Sequence, residues 1–270
     1  MRVFEAGRPA ARRTDNLATE EPMETRVVAG GSTQTVAVTM RTPGADFELA
    51  AGFLYGEGVI CSGAEVARIT YCVDPEVDAD QRYNIVNVAL RGPAPDMREM
   101  ERHFYTSSAC GVCGKASIDS VRVRRPGGDL AAGPLVSAET LRGLPEKLRA
   151  GQGLFDSTGG LHAAALFTAA GELEVLREDV GRHNAVDKVV GWGLLNHRLP
   201  FSDRVLAVSG RTSYEILQKA VAAGIPVVAA ISAPSSLAVD VAREFGLTLV
   251  GFMRGSRFNV YTGEERISLD

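Results

Sequence analysis

The sequence has little of what marks several large classes of protein. It contains one tryptophan, four histidines and four cysteines in 270 residues, and 29 lysines and arginines nearly balance 33 aspartates and glutamates. The net charge of −4 offers no positive surface for duplex nucleic acid or an anionic membrane. No run is apolar for long enough to span a bilayer or to act as a secretory signal. We therefore expect a cytoplasmic protein without nucleic-acid or membrane partners, in which a structural disulfide is not expected.

The glycine-rich loops of the commonest nucleotide-binding folds are also missing. The sequence contains neither a G-x-G-x-x-G pattern nor a G-x-x-x-x-G-K-[ST] loop. The first pattern marks dinucleotide-binding domains and the second marks P-loop proteins. Neither a dinucleotide dehydrogenase nor a P-loop phosphotransferase is therefore supported.

The first part of the chain divides into an arm and a small folded part. Residues 1–24 are polar and show no sustained period, so we expect a weakly ordered arm. In residues 25–105, two β-branched runs flank Gly30 and Gly31, which is typical of a hairpin. Helical spacing follows Asp46, which we expect to be the N-cap. With two further strand-like runs, this part is predicted to be a small antiparallel sheet with a helix.

The remainder divides into a connector and an α/β domain. Residues 106–136 contain a C-x-x-C pair, and their first part lacks any pattern that would bury it, so we expect a mobile connector. Residues 137–270 alternate strand and helix patterns. The runs at 205–208, 227–231 and 247–252 are continuously apolar, as strands buried on both faces must be. We predict a three-layer α/β domain around a βαβαβ unit, which right-handed crossovers would make parallel.

Polar segments follow these three buried runs, at Ser209–Ser213, Ser232–Ser236 and Met253–Arg257. The crevice outside the carboxyl ends of parallel strands is the usual binding place. Two segments open helices, whose free amides favour phosphate, and arginines add guanidinium groups. Helix capping and solvated arginines explain any single segment equally well, but three at one edge favour a phosphate-bearing ligand. The candidate binding residues from these segments are Ser209, Gly210, Arg211, Thr212, Ser213, Ser235, Arg254 and Arg257.

The segment "EDVGRHNAVDK", Glu178–Lys188, places Arg182 and His183 in the first turn of a predicted helix. Cations there oppose the helix dipole unless an anion lies nearby. We favour a functional role over a solvated helix start, and we include His183 among the candidate cofactor-binding residues. A structural role is the better interpretation for His162, which follows a Gly-Gly turn.

Cys110 and Cys113 form the C-x-x-C pair, which has three interpretations. Thioredoxin-like exchange needs the pair at a helix start after a strand, whereas here glycines and serines flank it in a connector. A zinc site needs two more ligands, and Cys61 and Cys72 lack the spacing and are expected to be buried. A sulfur carrier needs an accessible thiolate on a flexible segment, and a second thiol two residues away assists exchange or release.

Zinc-dependent nucleobase deaminases also contain a C-x-x-C pair, after an H-x-E motif. In this sequence the pair precedes His162, no proline precedes Cys110, and Ala164 stands where the catalytic glutamate would be. We therefore do not expect deaminase activity or a structural zinc ion.

Six motifs in order connect the chain with a known family: "SSACGVCGK", "STGGLHAAAL", "EDVGRHNAVDKVVG", "SGRTSYEILQKA", "ISAPSSLAVDVA" and "GFMRGSRFNVYTG". Together they resemble the formate dehydrogenase accessory sulfurtransferase family, over residues 25–262. The resemblance implies a fold similar to that of cytidine deaminase without its zinc chemistry, and a homodimer.

The resemblance also implies a sulfur relay. Members accept persulfide sulfur from a cysteine desulfurase and transfer it to the molybdenum or tungsten cofactor, bis-molybdopterin guanine dinucleotide, which formate dehydrogenase requires. The family's persulfide cysteine matches Cys110, with Cys113 as its partner. Its cofactor-binding segment matches Phe252, Met253, Arg254, Gly255, Ser256 and Arg257.

Both lines of reasoning meet at the strand ends, because a guanine dinucleotide carries phosphates and GDP would mimic it. Our leading hypothesis is therefore a sulfurtransferase that handles both sulfur and cofactor. The alternative is a carrier that delivers the cofactor without handling sulfur, and only this alternative leaves the thiols dispensable.

Overall fold

The computed structural model describes residues 1–93, 130 and 132–269. Most of the predicted connector, residues 106–136, lies outside these ranges, and so do Cys110 and Cys113. None of the helices within them combines the length and apolar character that crossing a bilayer demands.

A ribbon and a four-stranded sheet form the amino-terminal part. The ribbon pairs β1 (Arg2–Val3) with β2 (Ala11–Arg12), inside the segment predicted to be an arm. The sheet contains β3 (Glu21–Ala29), β4 (Ser32–Arg41), β5 (Val66–Tyr71) and β6 (Ile85–Leu90). The predicted hairpin between β3 and β4 is confirmed, with Gly30 and Gly31 at φ 57° and 79°.

The prediction that this sheet is antiparallel throughout is wrong. Its strand order is β4-β3-β6-β5, and β3 pairs with β6 in parallel. The reason is the helix α1 (Asp46–Gly56), which follows β4 and carries the chain back along the sheet. β5 therefore runs in the direction of β4, and β6, its antiparallel neighbour, runs with β3.

Asp46 is the first residue of α1, so the prediction that it is the N-cap is wrong. Ala45 occupies the N-cap position with φ 54° and makes no side-chain capping bond. The Asp46 carboxylate instead binds the buried guanidinium of Arg41, with Nε–Oδ1 and Nη2–Oδ2 distances of 3.2 and 3.1 Å. The buried arginine takes both carboxylate oxygens, and the backbone N–H of Gly44 also donates to Oδ1.

The carboxy-terminal part is a six-stranded sheet covered by helices. Its strands are β8 (His162–Thr168), β9 (Leu173–Asp179), β10 (Arg204–Val208), β11 (Val227–Ala230), β12 (Thr248–Arg254) and β13 (Arg257–Thr262). Its helices are α2 (Ala138–Ala150), α3 (Gly153–Thr158), α4 (Arg182–Leu195), α5 (Tyr214–Ala222) and α6 (Ser236–Glu244). The short strands β7 (Val136–Ser137) and β14 (Ile267–Ser268) pair beside it.

The predicted parallel βαβαβ unit is confirmed in the middle of this sheet. The strand order is β13-β12-β11-β10-β8-β9, and β10, β11 and β12 are parallel neighbours. β8, β9 and β13 extend the sheet by antiparallel pairing on both sides. The detailed similarity to the cytidine deaminase fold stays a prediction.

Alternate residues of the central strands face two apolar cores, which gives the three predicted layers. On β10, Val205 and Ala207 lie in the core formed with α2, whereas Leu206 and Val208 lie in the core formed with α1, α4, α5 and α6. The second core continues into the four-stranded sheet. The amino-terminal and carboxy-terminal parts therefore share one interior.

α1 and α4 touch backbone to backbone at two glycines. A Cβ atom added to Gly52 would lie 1.9 Å from the carbonyl oxygen of Asp187, and one added to Gly191 would lie 1.8 Å from that of Glu48. Only glycine fits at either position. This contact, which we call the glycine seam, fixes α4 and positions its first turn at the edge of the six-stranded sheet.

Candidate functional site

The two polar segments that follow β10 and β11 contact each other directly. The N–H of Thr212 donates to the carbonyl of Ala233 at 3.2 Å, and the N–H of Ser235 donates to the carbonyl of Thr212 at 3.0 Å. Thr212 and Pro234 thereby form an isolated parallel bridge beyond the strand ends. The structure thus brings these two candidate segments together at the carboxyl edge of the sheet.

The third segment is the tip of the β12–β13 hairpin, which joins this edge through backbone contacts. The N–H of Phe252 donates to the carbonyl of Ser232 at 3.1 Å, and a Cβ added to Gly251 would lie 3.1 Å from that same oxygen. Gly255 turns the tip with φ 54°, followed by the exposed Ser256. All three predicted segments therefore meet at one place.

Arg254 and Arg257 lie opposite each other across this hairpin. Both are exposed, and neither makes an ion pair within the described part of the chain. Like charges directly opposite on paired strands destabilise a hairpin. Arg211, at the neighbouring strand end, is likewise exposed and free of carboxylate partners among the described residues. This edge therefore carries positive charge that an anionic ligand would neutralise.

Phe252 and Met253 share this segment but differ in exposure. Phe252 has φ 53°, a left-handed conformation that is unusual for a bulky residue and stores strain. The ladder between β12 and β13 shifts register next to it. Met253 is 2% exposed and lies in the core formed with α2, so its side chain does not face the edge.

Ser213 precedes α5 at the N-cap position, but its side chain does not cap the helix. Its Oγ lies 3.0 Å from Nε2 of His183 instead. Burial, followed by the charges of Lys219 and Arg182, lowers the pKa of His183 to about 4. The imidazole is therefore neutral at pH 7, and the Ser213 hydroxyl is engaged by this contact instead of capping α5.

Ser235 and Ser209 make internal hydrogen bonds. Ser235 caps α6 by accepting from the N–H of Ala238 at 3.2 Å. The Oγ of Ser209 accepts from the N–H of Ala163 at 2.8 Å. Ser209 also borders an open depression of about 660 Å³ between the sheet edge and α2. Sequence reasoning could not separate these capping and bridging hydroxyls from ligand-binding ones.

Gly210 lies against two basic side chains that the candidate residues did not include. A Cβ at Gly210 would be 3.3 Å from Nδ1 of His162 and 3.5 Å from Cδ of Arg182. Burial, and then the charge of Arg182, lowers the pKa of His162. The sequence indicated Arg182 because it lies with His183 in the first turn of α4. Only His183 of these two was included among the candidate residues.

The remaining polar residues of the Glu178–Lys188 segment build a buried network. Nζ of Lys188 lies 2.7 Å from Oδ2 of Asp179, and the amide of Asn184 donates to Oδ1 of Asp179 at 2.9 Å. The N–H of Thr42 donates to Asp179 Oδ2 at 3.1 Å. These residues have a structural role, so the functional interpretation applies only to the first turn of α4.

The other two cysteines differ in exposure. Cys72 is buried, as predicted, but Cys61 is exposed, so the expectation for Cys61 is wrong. Cys61 lies in a turn after α1 and not in the core. Its own backbone N–H donates to the carboxylate of Glu65. Within the described ranges, no three His, Cys, Asp or Glu side chains are grouped as metal ligands.

Comparisons with known proteins agree with the family resemblance. A model of the FdhD/NarQ family matches residues 18–268. "Sulfur carrier protein FdhD" of Streptomyces coelicolor is 56% identical over 264 residues, covering 95% of this chain and 90% of that protein. The protein of the same name from Sulfurisphaera tokodaii is 46% identical over 253 residues, covering 94% and 92%.

A solved structure agrees with the fold. It is a protein of Desulfotalea psychrophila, provisionally assigned as a formate dehydrogenase accessory protein, with a TM-score of 0.75 and 26% identity. The match covers 99% of this chain and 97% of that one. The chain therefore belongs to the FdhD/NarQ family.

Proposed function

We propose that this protein is a sulfurtransferase that serves formate dehydrogenase. It accepts persulfide sulfur from a cysteine desulfurase and transfers it to bis-molybdopterin guanine dinucleotide carrying molybdenum or tungsten. The observation that carries this proposal is the 56% identity to a protein named as a sulfur carrier over 95% of the chain. The accessory role assigned to the Desulfotalea protein supports formate dehydrogenase as the target.

The strand-end edge supports the cofactor half of the proposal. Arg211, Arg254 and Arg257 are exposed and lack carboxylate partners within the described residues. The repulsion between Arg254 and Arg257 is relieved when a phosphate lies between them. The Ser213 side chain does not cap the start of α5, and the positive end of a helix suits a phosphate oxygen. The donor set therefore fits the pyrophosphate groups of a guanine dinucleotide, with the strained Phe252 beside them.

The sulfur half rests on Cys110 and Cys113, which lie outside the described residues. In loading, the Cys110 thiolate attacks the terminal sulfur of the donor persulfide and releases the donor thiolate. In unloading, the Cys113 thiolate attacks the Cys110 sulfur, forming a disulfide and releasing the carried sulfur as hydrosulfide. The two cysteines supply both electrons, and a cellular thiol reductant restores them. The sulfur thus leaves at the oxidation level of a metal sulfide ligand.

Mass spectrometry after incubation with a cysteine desulfurase and cysteine tests the sulfur step. We expect the wild-type protein to gain one sulfur atom on Cys110, and Cys110→Ala to gain none there and to leave formate dehydrogenase inactive. Cys113→Ala should load sulfur but activate formate dehydrogenase poorly. The exposed Cys61 provides the control, because Cys61→Ala should behave as the wild type does.

Full activation by Cys110→Ala, with no sulfur gained by the wild type, would reject sulfur handling. If Arg254→Ala then abolished activation while the thiol variants did not, the protein would be a cofactor carrier.

We further propose that the protein works in the cytoplasm as a homodimer, without nucleic-acid or membrane partners and without structural zinc. Light scattering on the purified protein measures the oligomeric state.

A further inference from the structure

Arg182 is a half-buried arginine for which the described residues provide no ion pair or hydrogen-bond acceptor. Six other arginines that are buried or partly buried donate to a carboxylate or a carbonyl: Arg26, Arg41, Arg82, Arg177, Arg204 and Arg266. Within the described residues, Arg182 makes no ion pair, and its Nε is buried without a hydrogen-bond partner. The buried Nε–H of this guanidinium is therefore a donor without an acceptor.

Among the described residues no carboxylate lies within ion-pair distance of Arg182, although Glu215 lies 3.7 Å from Nε2 of the adjacent His183. It opens α4, a helix of 14 residues whose N-cap, Gly181, provides no capping side chain and whose first turn contains no acidic residue. Its neighbours are Gly210, which lets the backbone approach, and the ring of His162. The nearby cation Lys219 is already paired with Asp187 at 2.7 Å.

A second unsatisfied donor lies at the same edge. Thr212, two residues after Gly210, is 1% exposed, and its hydroxyl has no hydrogen-bond partner. In the described part of the chain, four buried side-chain nitrogen or oxygen atoms accept or donate no hydrogen bond; one of them, Asp187 Oδ1, is ion-paired with Lys219, and two others belong to Arg182 and Thr212. The guanidinium can only donate and the hydroxyl can donate as well as accept, so an oxyanion satisfies both groups, whereas a cation would leave the guanidinium unsatisfied.

We propose that Arg182 binds a phosphate of the ligand at this edge, between the first turns of α4 and α5. The inference rests on the proposed nucleotide binding and deepens it, because it names a phosphate ligand outside the three strand-end segments. In this arrangement Arg182 and the α4 amides hold one phosphate, while Arg254 and Arg257 on the hairpin meet the other. His183, in the first turn of α4, and Ser213, just before α5, contact each other and provide the polar side chains between the two helix starts.

Isothermal titration of the full chain with GDP tests the proposal. Arg182→Ala should weaken GDP binding by about tenfold to a hundredfold, because a hydrogen bond to a charged group is lost. Arg182→Lys keeps the positive charge but loses the planar guanidinium, so its GDP affinity should lie between those of the wild type and Arg182→Ala. The control is Arg243→Ala at the far end of α6, where an exposed arginine pairs with Asp240, and it should leave the affinity unchanged.

Guanosine and inorganic pyrophosphate separate the contributions. Arg182→Ala should weaken the binding of pyrophosphate as it weakens the binding of GDP. The affinity for guanosine, which is expected to be lower than that for GDP, should not change because guanosine has no phosphate. Equal weakening for guanosine would show a structural role for Arg182 and would overturn the proposal. Unchanged GDP affinity in a folded Arg182→Ala variant would also overturn it, with the proposed function intact.

A third result separates the two proposals. If the wild type bound neither GDP nor pyrophosphate, both the nucleotide half of the proposed function and this inference would fall. Persulfide loading on Cys110 is measured without any nucleotide, so it would still report on the sulfur half. Circular dichroism and a thermal melt of each variant exclude unfolding as the cause of lost binding.

Discussion

His183 is held neutral by its surroundings. Burial, with the positive charges of Lys219 and Arg182, lowers its pKa from an ordinary 6.5 to about 4, although Glu215 acts in the opposite direction. Its Nε2 lies 3.0 Å from the Ser213 hydroxyl, and it stays uncharged at the pH of the cell. The edge therefore keeps its positive charge on the arginines, and the histidine contributes hydrogen bonding rather than charge.

This lowered pKa predicts a pH dependence of stability. Between pH 6.5 and 4 the unfolded chain protonates His183 and the folded protein does not, so the contribution to stability is complete above pH 6.5 and is lost as the pH falls. We expect His183→Gln to lose less stability between pH 7.5 and pH 5 than the wild type. Urea unfolding at both pH values measures the difference.

Another group in the same region titrates in the opposite sense. Burial raises the pKa of Asp187 to about 6, but this effect is common to the wild type and the variant and cancels in the comparison. An identical pH dependence for the two proteins would contradict the neutral state of folded His183.

The helices α1 and α4 depend on the glycine seam. The backbone oxygens opposite Gly52 and Gly191 would lie within 2 Å of an added Cβ atom, so the helices must separate to accept a methyl group. Since these helices join the amino-terminal sheet to the layer that carries the site, a change at the seam also moves the first turn of α4.

We predict that Gly52→Ala lowers the free energy of unfolding by about 3 kcal/mol or more, because overpacking at a backbone contact cannot be relieved by a rotamer change. The matched control is Gly143→Ala in α2, where nothing lies within 4 Å of the added atom. That variant should stabilise the protein by about 0.5–1 kcal/mol through helix propensity. Urea unfolding measures both, and a neutral Gly52→Ala would show that the helices do not touch as described.

Local patterns predicted the elements better than their pairing. Continuous apolar runs identified β10, β11 and β12, since a strand buried on both faces has no polar alternative. The parallel pairing of β3 with β6 could not be predicted in this way, because it depends on where α1 returns the chain. The role of Asp46 was missed because it depends on Arg41, whose burial no local pattern indicates.

The site shows the same limit. The meeting of three polar segments followed from the rule for strand ends. No such rule predicts the hydrogen-bond partner of a single hydroxyl. Ser209 and Ser235 were therefore included among the candidate binding residues, although their hydroxyls accept from backbone N–H groups. Arg182 was not selected for the converse reason, since only the fold shows that no carboxylate of the described residues pairs with it.

Across the whole molecule, a buried ion pair joins the two parts of the chain. Lys188 and Asp179 are 1% and 0% exposed, and Lys188 also donates to the carbonyl of Thr42 at 2.9 Å. The N–H of Thr42 in turn donates to Asp179. The end of the amino-terminal sheet is thereby tied to β9 and to the helix that carries Arg182.

We predict that Lys188→Met lowers the free energy of unfolding by about 3–5 kcal/mol, because it leaves the Asp179 carboxylate buried without its counter-ion. Adding Asp179→Leu should recover part of this loss. Arg243→Ala, which breaks an exposed pair, should change the free energy by less than about 0.5 kcal/mol. Chemical denaturation of the wild type, Lys188→Met, Asp179→Leu, the double variant and Arg243→Ala gives the values, and additive effects of the two core substitutions would contradict a coupled pair.

The bond from Thr42 to Asp179 spans 137 positions of the sequence. A ribosome that adds about 5–20 residues per second needs roughly 7 to 27 seconds to make that distance. During this interval the face of α1 that packs on α4 has no partner, because α4 is still unmade. The glycine seam and the bond to Asp179 can therefore form only after the second half of the chain has been made.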